Sequence, residues 1–407
     1  MKKIFLILMG IGMFGLAHGQ VQHLYEHTYP EVTVEQPQIR SLMNQVDIDR
    51  LTATIDTLQS CPTRRWDSQM VYEVQNWLYH NYQCMGFDSV YLHDFPVYYH
   101  DSLYETSDNV IAIRKGLVYP DEYVVCGAHY DSYNKFDGHP DSLLAPGADD
   151  NASGVAGVLE MARILAPCTF ERSVIFCNFA AEEIGLIGSA AYAKDCADQL
   201  LDIVGYFNLD MIGYLEEGSD IHVNLLYTGR DSLLANYVFD FSKAYFPDMR
   251  IWHDWLAWGD SDYSSFNRNG YPAVHTFEDT HHSSPFIHTP EDILGVSVNN
   301  MDQAKRFTEL NLGLVANLAG LIATDVAEEK EFFPVLMPNP ALDMITVKGV
   351  PMKQVLVYNL MGQCVLSQSN EGEKECVIEV GSLVPGVYFV QIMKGDGGMV
   401  TVKFVKS

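Results

Sequence analysis

Three uncharged, largely apolar runs, at 123–128, 174–179 and 203–209, dominate the first two thirds of the chain. Each has the length of a strand and is too short for a typical globular helix. A strand with one wet face alternates apolar and polar residues, whereas unbroken runs belong to strands buried on both faces, as in a parallel sheet covered by helices. The segments around the runs supply those helices. A helical pattern runs from Val46 through Ile48, Leu51, Ile55 and Leu58, and a second spans 68–85. Ser153 is placed to cap a helix carrying Val155, Val158, Leu159, Ala162 and Leu165, with Pro167 closing it. Segments 221–227 and 273–277 extend the sheet, and 301–322 reads as a long amphipathic closing helix. The expected class is α/β, a mainly parallel central sheet with helices on both faces. Beyond a charged linker at 326–332 the pattern changes to short alternating strands, at 344–347, 355–358, 377–380 and 387–392, separated by turn residues. Residues 333–407 therefore form a separate, small all-β sandwich domain.

The ends of the chain and its charge narrow the class of function. Lys2 and Lys3, an apolar run over 4–16, and Ala17-His18-Gly19 before Gln20 have the form of an export signal peptide over 1–19. Residues 20–45 are polar and irregular, a pro-segment or an ordered arm, and the main domain is expected over 46–325. No later stretch is apolar for long enough to make a stable membrane span, so a secreted or cell-surface protein is expected. With 53 acidic against 25 basic residues and a net charge of -28, the surface repels phosphate backbones, which excludes nucleic acid as a partner. The eight cysteines contain no CxxC pair, so a cysteine zinc site is not indicated. Cys126 and Cys177 read as buried thiols, and Cys364 and Cys376 are near enough in sequence to pair.

Five segments carry the acids and histidines of interest: GAHYDS at 127–132, PGADDNASG at 146–154, AAEEIG at 180–185, NLDM at 208–211 and IHTP at 287–290. Three begin at the carboxyl end of an expected buried strand, where open α/β sheets form their sites. His129, Asp149, Glu183, Asp210 and His288 make a mixed imidazole and carboxylate set suited to zinc, with cobalt or manganese as substitutes. Two Zn²⁺ bring four positive charges, and Asp149, Glu183, Asp210 and a hydroxide offset them, so a partly buried cluster is tolerable. Glu182 and Glu183 are adjacent, and neighbours on an extended segment point opposite ways. One can bind metal while the other stands free as a general base. Asp131, two residues from His129, can hold the imidazole from behind.

In order and spacing these segments resemble peptidase family M28, the zinc peptidases that include bacterial leucyl aminopeptidases, across about residues 51–321. The resemblance implies a zinc exopeptidase-like fold and an aminopeptidase that takes peptide substrates with a free N-terminus. By it Asp149 bridges two metals, His129 and Asp210 complete one shell, and Glu183 and His288 the other. Glu182 matches the base and Asp131 the carboxylate behind the histidine. The peptide bond after the bridging aspartate, Asp149-Asp150, would be cis. Some relatives place a tyrosine in a disulfide-closed loop to stabilise the tetrahedral intermediate. Segment 255–262 here has no cysteine pair, which leaves Tyr263 or metal alone for that task. In the last domain MPNPALD at 337–343, VYNLMG at 357–362, LVPGVYFV at 383–390 and KFVK at 403–406 resemble the type A sorting domain of the type IX secretion system. That implies the type IX secretion machinery as a partner.

Other residues have plainer readings. His281 and His282 read as loop residues, and His222 and His275 as core histidines with satisfied ring nitrogens. Trp252, Trp255 and Trp258 either line a side-chain pocket or form a satellite core. Asn151-Ala152-Ser153 has the form of a glycosylation sequon but belongs to the metal loop. The rival functions are a single-zinc glutaminyl cyclase-like transferase, a carboxypeptidase or dipeptidase of the same clan, and a binding module that keeps the fold without metals.

Overall fold

A computed structural model describes residues 23–99, 102–104, 106–135, 144–255, 261–322, 335–348, 351–360, 362–370, 372–394 and 398–407. The expected signal peptide at 1–19 and linker at 326–332 lie outside the described residues. Two compact units divide at residue 323.

In the first unit α1 (Pro37–Met43), α2 (Ile48–Gln59) and α3 (Gln69–Met85) precede β1 (Ser89–His93), the hairpin β2 (Val97–Tyr99) and β3 (Ser102–Tyr104), and β4 (Asn109–Arg114). Then come β5 (Tyr119–His129), α4 (Gly154–Leu165), β6 (Arg172–Phe179), α5 (Ile187–Asp198) and β7 (Asp202–Leu209). The unit continues through β8 (His222–Tyr227), α6 (Ser232–Tyr245), β9 (Arg250–Trp255), α7 (Tyr263–Arg268), β10 (Ala273–Phe277) and α8 (Met301–Leu318). Eight strands form one sheet in the order β1-β4-β6-β5-β7-β10-β8-β9. The four central strands, β6-β5-β7-β10, are parallel. Towards the edges β4 runs antiparallel to β6, β1 to β4, and β8 to β10. The sheet is therefore mixed, with the expected parallel arrangement at its centre.

Alternate residues of the central strands enter two cores, which explains their unbroken apolar character. Val124, Cys126, Val174 and Phe176 pack with α2, α4 and α8 on one face. Val125, Ile175, Cys177 and Phe179 pack under Tyr192 of α5 and Phe266 of α7 on the other. Cys126 and Cys177 are buried thiols, as expected.

The start of α4 differs in detail from the sequence expectation. Ser153 Oγ donates to the Asp149 carbonyl at 2.7 Å and accepts from Ile212 N at 3.2 Å, so it does not cap the helix. Asn151 Oδ1 takes the Gly154 N–H instead, at 2.9 Å. The helix begins so close to β7 that a Cβ on Gly154 would meet the Leu209 carbonyl oxygen at 2.3 Å. Only glycine fits there.

The described part of the arm, from residue 23, is ordered. Leu24 N donates to Gly270 O at 2.8 Å, His23 Nε2 lies 3.1 Å from Asp231 Oδ1, and Tyr29 OH donates to Val204 O at 3.0 Å. Val204 lies in the amino-terminal half of β7, and Gly270 just precedes β10. The arm is thus fastened at the end of the sheet remote from the strand ends that carry the candidate site.

The second unit has strands β11 (Val335–Met337), β12 (Met344–Lys348), β13 (Met352–Asn359), β14 (Cys364–Ser369), β15 (Glu375–Glu379), β16 (Gly386–Lys394) and β17 (Met399–Lys406). They form two antiparallel sheets, β11-β12-β15 and β14-β13-β16-β17. Ile345, Val347, Val355, Val357, Ile378, Val390 and Phe404 are among the residues of its core. This is the expected sandwich. Cys364 and Cys376 are not paired, because they sit on β14 and β15 in different sheets, one exposed and one buried. The other six cysteines are also free thiols.

Candidate metal centre

The candidate side chains leave three neighbouring parallel strands at their carboxyl ends. His129 is the last residue of β5, Glu182 and Glu183 follow β6 by three and four residues, and Asp210 follows β7 directly. Adjacent strands lie about 5 Å apart, so residues far apart in sequence are brought together. Two loops complete the group. The turn over Ala148–Ser153 crosses from β5 to α4, and His288 projects from the long connection between β10 and α8 at φ 58°.

The carboxylate between the two histidines is Asp150, one residue past the expected Asp149. Asp150 Oδ1 lies 3.2 Å from His129 Nε2, and its Oδ2 lies 3.0 Å from His288 Nε2. Asp210 Oδ1 is 3.4 Å from His129 Nε2, and Glu183 Oε2 is 3.0 Å from His288 Nε2. Two triads result, His129-Asp150-Asp210 and His288-Asp150-Glu183, each using a different oxygen of Asp150. Glu182 Oε2 stands farther off, 4.0 Å from His129 Nε2. His129 Nε2, Asp210 Oδ1 and Glu183 Oε1 are buried with no hydrogen-bond partner among the described residues. The ligand atoms of His129, Glu182 and Asp210 converge in one group and those of His129, Asp150 and Glu183 in another, all within 4.8 Å of one another in each, which fits a divalent metal.

Asp149 faces away from this cluster. Its Oδ1 accepts from Gly213 N at 2.9 Å and its carboxyl pairs with that of Glu278. Burial holds both groups well above the usual carboxylate range, so the pair keeps a proton. The cis peptide bond is likewise one residue on, at Asp150-Asn151. Glu278 also accepts from Ser284 N at 2.7 Å and Tyr214 N at 3.1 Å, which ties three loops together.

Several neighbours orient the cluster. Asp131 Oδ1 lies 3.5 Å from His129 Nδ1, and its two oxygens accept from Glu182 N at 3.1 Å and Glu183 N at 3.3 Å. One carboxylate therefore sets both the imidazole and the Glu-Glu segment. Ser261 Oγ donates to Asp210 Oδ2 at 2.6 Å. Asp292 accepts from the backbone N–H of Asp149 at 2.8 Å and of Asp150 at 3.2 Å. Tyr133 packs edge-on against His288, with ring centroids 5.2 Å apart. Asp150, Asp292, Glu278 and Ser261 were not singled out from the sequence. The Asp149-Asp150 pair was its one visible signal, and adjacent identical residues do not reveal which one faces inward.

The protonation pattern is that of a site built for cations. Burial alone would lower the His129 pKa, but Asp210 and Glu182 hold it well above the ordinary value. His288 is pushed up to about 11, where its bonds to Asp150 and Glu183 outweigh burial. Burial, and then the Asp150 charge, push Glu183 up to about 8. Burial drives Glu182 well above the carboxylate range against the pull of His129, with Glu183, Asp262 and Asp210 adding to the rise. Protons occupy these groups because so many acids cannot all ionise together without positive charge between them.

The remaining residues fall outside the cluster. Tyr263, the first residue of α7, is fully buried and packs in one core with Phe266 and Tyr206. His275 is buried, with Nε2 3.0 Å from the Asp210 carbonyl. His222 is not a core residue, its Nε2 lying 3.5 Å from Asp279 near the surface. His281 and His282 are exposed loop residues beside Asp279. Trp252 is 52 % exposed, which removes it from any core, and Trp258 lies outside the described residues. Asn151 is fully buried, its amide donating to Leu209 O at 3.0 Å, so the sequon is closed to glycan.

Residues 109–314, slightly more than half of the chain, match the peptidase family M28. The chain belongs to peptidase family M28. Relatives include leucine aminopeptidase 1 of Fusarium vanettenii, 26% identical over 327 residues that cover 74% of this chain and 78% of the relative. Aminopeptidase YwaD of Bacillus subtilis is 35% identical over 211 residues, 49% of this chain and 43% of that protein. Membership of M28 with such relatives makes the chain a zinc-dependent hydrolase. Among solved structures the LapA aminopeptidase of Legionella pneumophila superposes with a TM-score of 0.61 at 24% identity, covering 74% of this chain and 78% of that one. A Bacteroides thetaiotaomicron glutaminyl cyclase superposes with a TM-score of 0.52 at 18% identity, covering 68% and 97%. Both show a shared fold. Residues 335–407 match the secretion system C-terminal sorting domain, which marks the chain for export by the type IX route. No helix among the described residues is long and apolar enough to cross a membrane.

Proposed function

We propose that this M28 peptidase is an exported aminopeptidase whose centre takes two zinc ions and releases the N-terminal residue of peptides. The reading rests on the two triads that share Asp150, with Glu182 left over beside them. His129 and Asp210 would hold one ion, Glu183 and His288 the other, and Asp150 one with each oxygen. Three carboxylates leave one positive charge, which a hydroxide cancels, so burial of the loaded centre is tolerable. A glutaminyl cyclase-like enzyme with one zinc needs only part of this set.

Zinc held there supplies Lewis-acid polarisation of the peptide carbonyl and lowers the pKa of water in its shell. Glu182 takes the proton of the attacking water and returns it to the departing amine. In the loaded centre the positive charge of the ions offsets the acids around Glu182 and favours its ionised form, the form that a base needs. Asp131 fixes Glu182 through its backbone N–H, so the base keeps its distance from the ligands. Glu182, Asp131 and Asp262 add carboxylates beside the ligand set, which favours a substrate that brings a cationic α-amino group and so cleavage at the N-terminus. The signal peptide over 1–19 would deliver the chain to the periplasm, and the C-terminal sorting domain across the outer membrane.

The test is an assay of purified mature protein on aminoacyl and N-blocked peptides, with and without chelator. Free N-termini should be hydrolysed, blocked ones spared, and chelation should abolish turnover. Glu182→Gln should keep its zinc and lose about 10²- to 10⁴-fold in kcat. Hydrolysis of blocked substrates, cyclisation of N-terminal glutamine as the main reaction, or full activity in E182Q would overturn the reading.

A further inference from the structure

Arg64 is a fully buried arginine that lies outside the candidate ligand set and matches none of the recognised motifs. Its Nε donates to Tyr130 O at 2.9 Å, Nη1 to Leu58 O at 3.2 Å and to Pro146 O, and Nη2 to Gly147 O at 2.8 Å. Among the described residues its guanidinium bonds are to carbonyls, not to carboxylates. Tyr130 lies between His129 and Asp131, and Gly147 is three residues before Asp150. The main chain of Arg64 joins the same two loops. Its N–H donates to Ser132 Oγ at 3.0 Å, its carbonyl accepts from Ser132 N at 3.4 Å, and Ser132 Oγ donates onward to Ala145 O at 2.7 Å. Gly147, at φ 55°, closes over the guanidinium, where a Cβ would meet Nη2 at 2.8 Å.

We propose that Arg64 is a positioning residue that clamps the loop carrying His129 to the loop carrying Asp150 and so sets the spacing of the zinc ligands. The proposal rests on the two-zinc reading above. Arginine suits the place because its N–H groups form a rigid planar fork that can serve carbonyls from three segments at once. Lysine keeps the charge but offers three donors from one point, so it cannot hold the same set. The charge itself acts in the opposite direction. A fixed cation beside Asp131, Asp150 and Asp292 opposes the arrival of Zn²⁺, and its removal alone would tighten zinc binding. The two effects have opposite signs, so variants separate them.

The experiment uses the full mature chain. Zinc content is measured first on the wild type, then zinc affinity by competition with a chromophoric chelator for the wild type, Arg64→Lys, Arg64→Met and Ser132→Ala. Melting of the metal-free forms and kcat and KM at saturating zinc are measured alongside. R64K is expected to bind zinc about 10- to 100-fold more weakly, the range for lost support behind metal ligands. Its kcat should fall more than its KM changes. R64M should also bind more weakly, and S132A less so but in the same direction. A purely structural arginine would lower the melting temperature and leave zinc affinity and kcat unmoved, which overturns the proposal. Tighter zinc binding in R64M also overturns it, because charge would then dominate. If R64K fails to fold, S132A decides, and wild-type affinity in S132A rejects the clamp. A wild type that holds no zinc instead defeats the two-zinc reading itself, a result distinct from normal zinc affinity in the variants.

Discussion

Asp149 and Asp150 are adjacent in one turn and have the same side chain, yet they meet different partners. Asp150 lies between His129 and His288, whereas Asp149 keeps a proton with Glu278 and accepts from Gly213 N. Substitution should separate them. Asp150→Asn removes a charge shared by both triads and should abolish retention of zinc after dialysis. Asp149→Asn replaces one member of a proton-sharing carboxyl pair with an amide that can still hydrogen-bond to Glu278, and should retain zinc within about threefold, given the near-neutral outcome when hydrogen bonds are conserved. Metal analysis of the two purified variants checks this, and the reverse order would return the bridging role to Asp149. That His129, Asp131, Glu182, Glu183, Asp210 and His288 lie near one another was legible because each follows a strand end or belongs to a compact motif. The choice within Asp149-Asp150 was not, because it depends on which way a turn presents two consecutive side chains. Asp292 and Glu278 were not legible either, because their role is to hold backbone and carboxyl groups of other loops.

Among the elements, β5, β6, β7 and β10 were readable because strands buried on both faces must be apolar throughout. The closing helix α8 was readable by its length and period. The strands β1, β4 and β9 passed unnoticed: β1 and β9 mix charged or polar with apolar residues, and the apolar stretch of β4 covers only residues 110–113. The antiparallel edges of the sheet were missed with them, and the sheet was expected to be more parallel than it is. The start of α4 shows how tightly the elements are joined at the site. Asn151 caps the helix at Gly154 and donates to Leu209 O, just before Asp210. Gly154→Ala would place a methyl group against the Leu209 carbonyl. Overpacking of this kind costs about 1–3 kcal/mol. Thermal unfolding should show a lower midpoint for G154A, whereas an unchanged midpoint would mean that α4 can move away from β7.

At the scale of the whole molecule, the acid-rich centre leaves the metal-free fold sensitive to pH. Burial, then Asp150, hold the Glu183 carboxyl up to about 8 against 4.5 for an ordinary glutamate. Burial, with the Asp150 charge adding, holds Asp292 up to about 6 against 3.8. His288, with bonds to Asp150 and Glu183 that outweigh burial, holds its proton to about 11 against 6.5. In each case the folded chain binds more protons than the unfolded one between the two values, so stability falls as pH rises through that window. The metal-free protein should therefore melt at a higher temperature at pH 5 than at pH 8. Zinc displaces those protons and binds more tightly as pH rises, so the loaded protein should lose this trend or reverse it. Melting curves at the two pH values, with chelator and with zinc, check the sign; a metal-free protein more stable at pH 8 would contradict it. That a second, all-β part follows the α/β part was legible from the change from long buried runs to short alternating strands. The absence of a bond between Cys364 and Cys376 was not, because it depends on which sheet each strand joins.

The most direct test is anomalous diffraction at the zinc edge from crystals of the active, mature chain. Two peaks are expected, one beside His129 and Asp210 and one beside Glu183 and His288, with an oxygen of Asp150 next to each. A single peak, no peak, or Asp149 between two peaks would contradict the account.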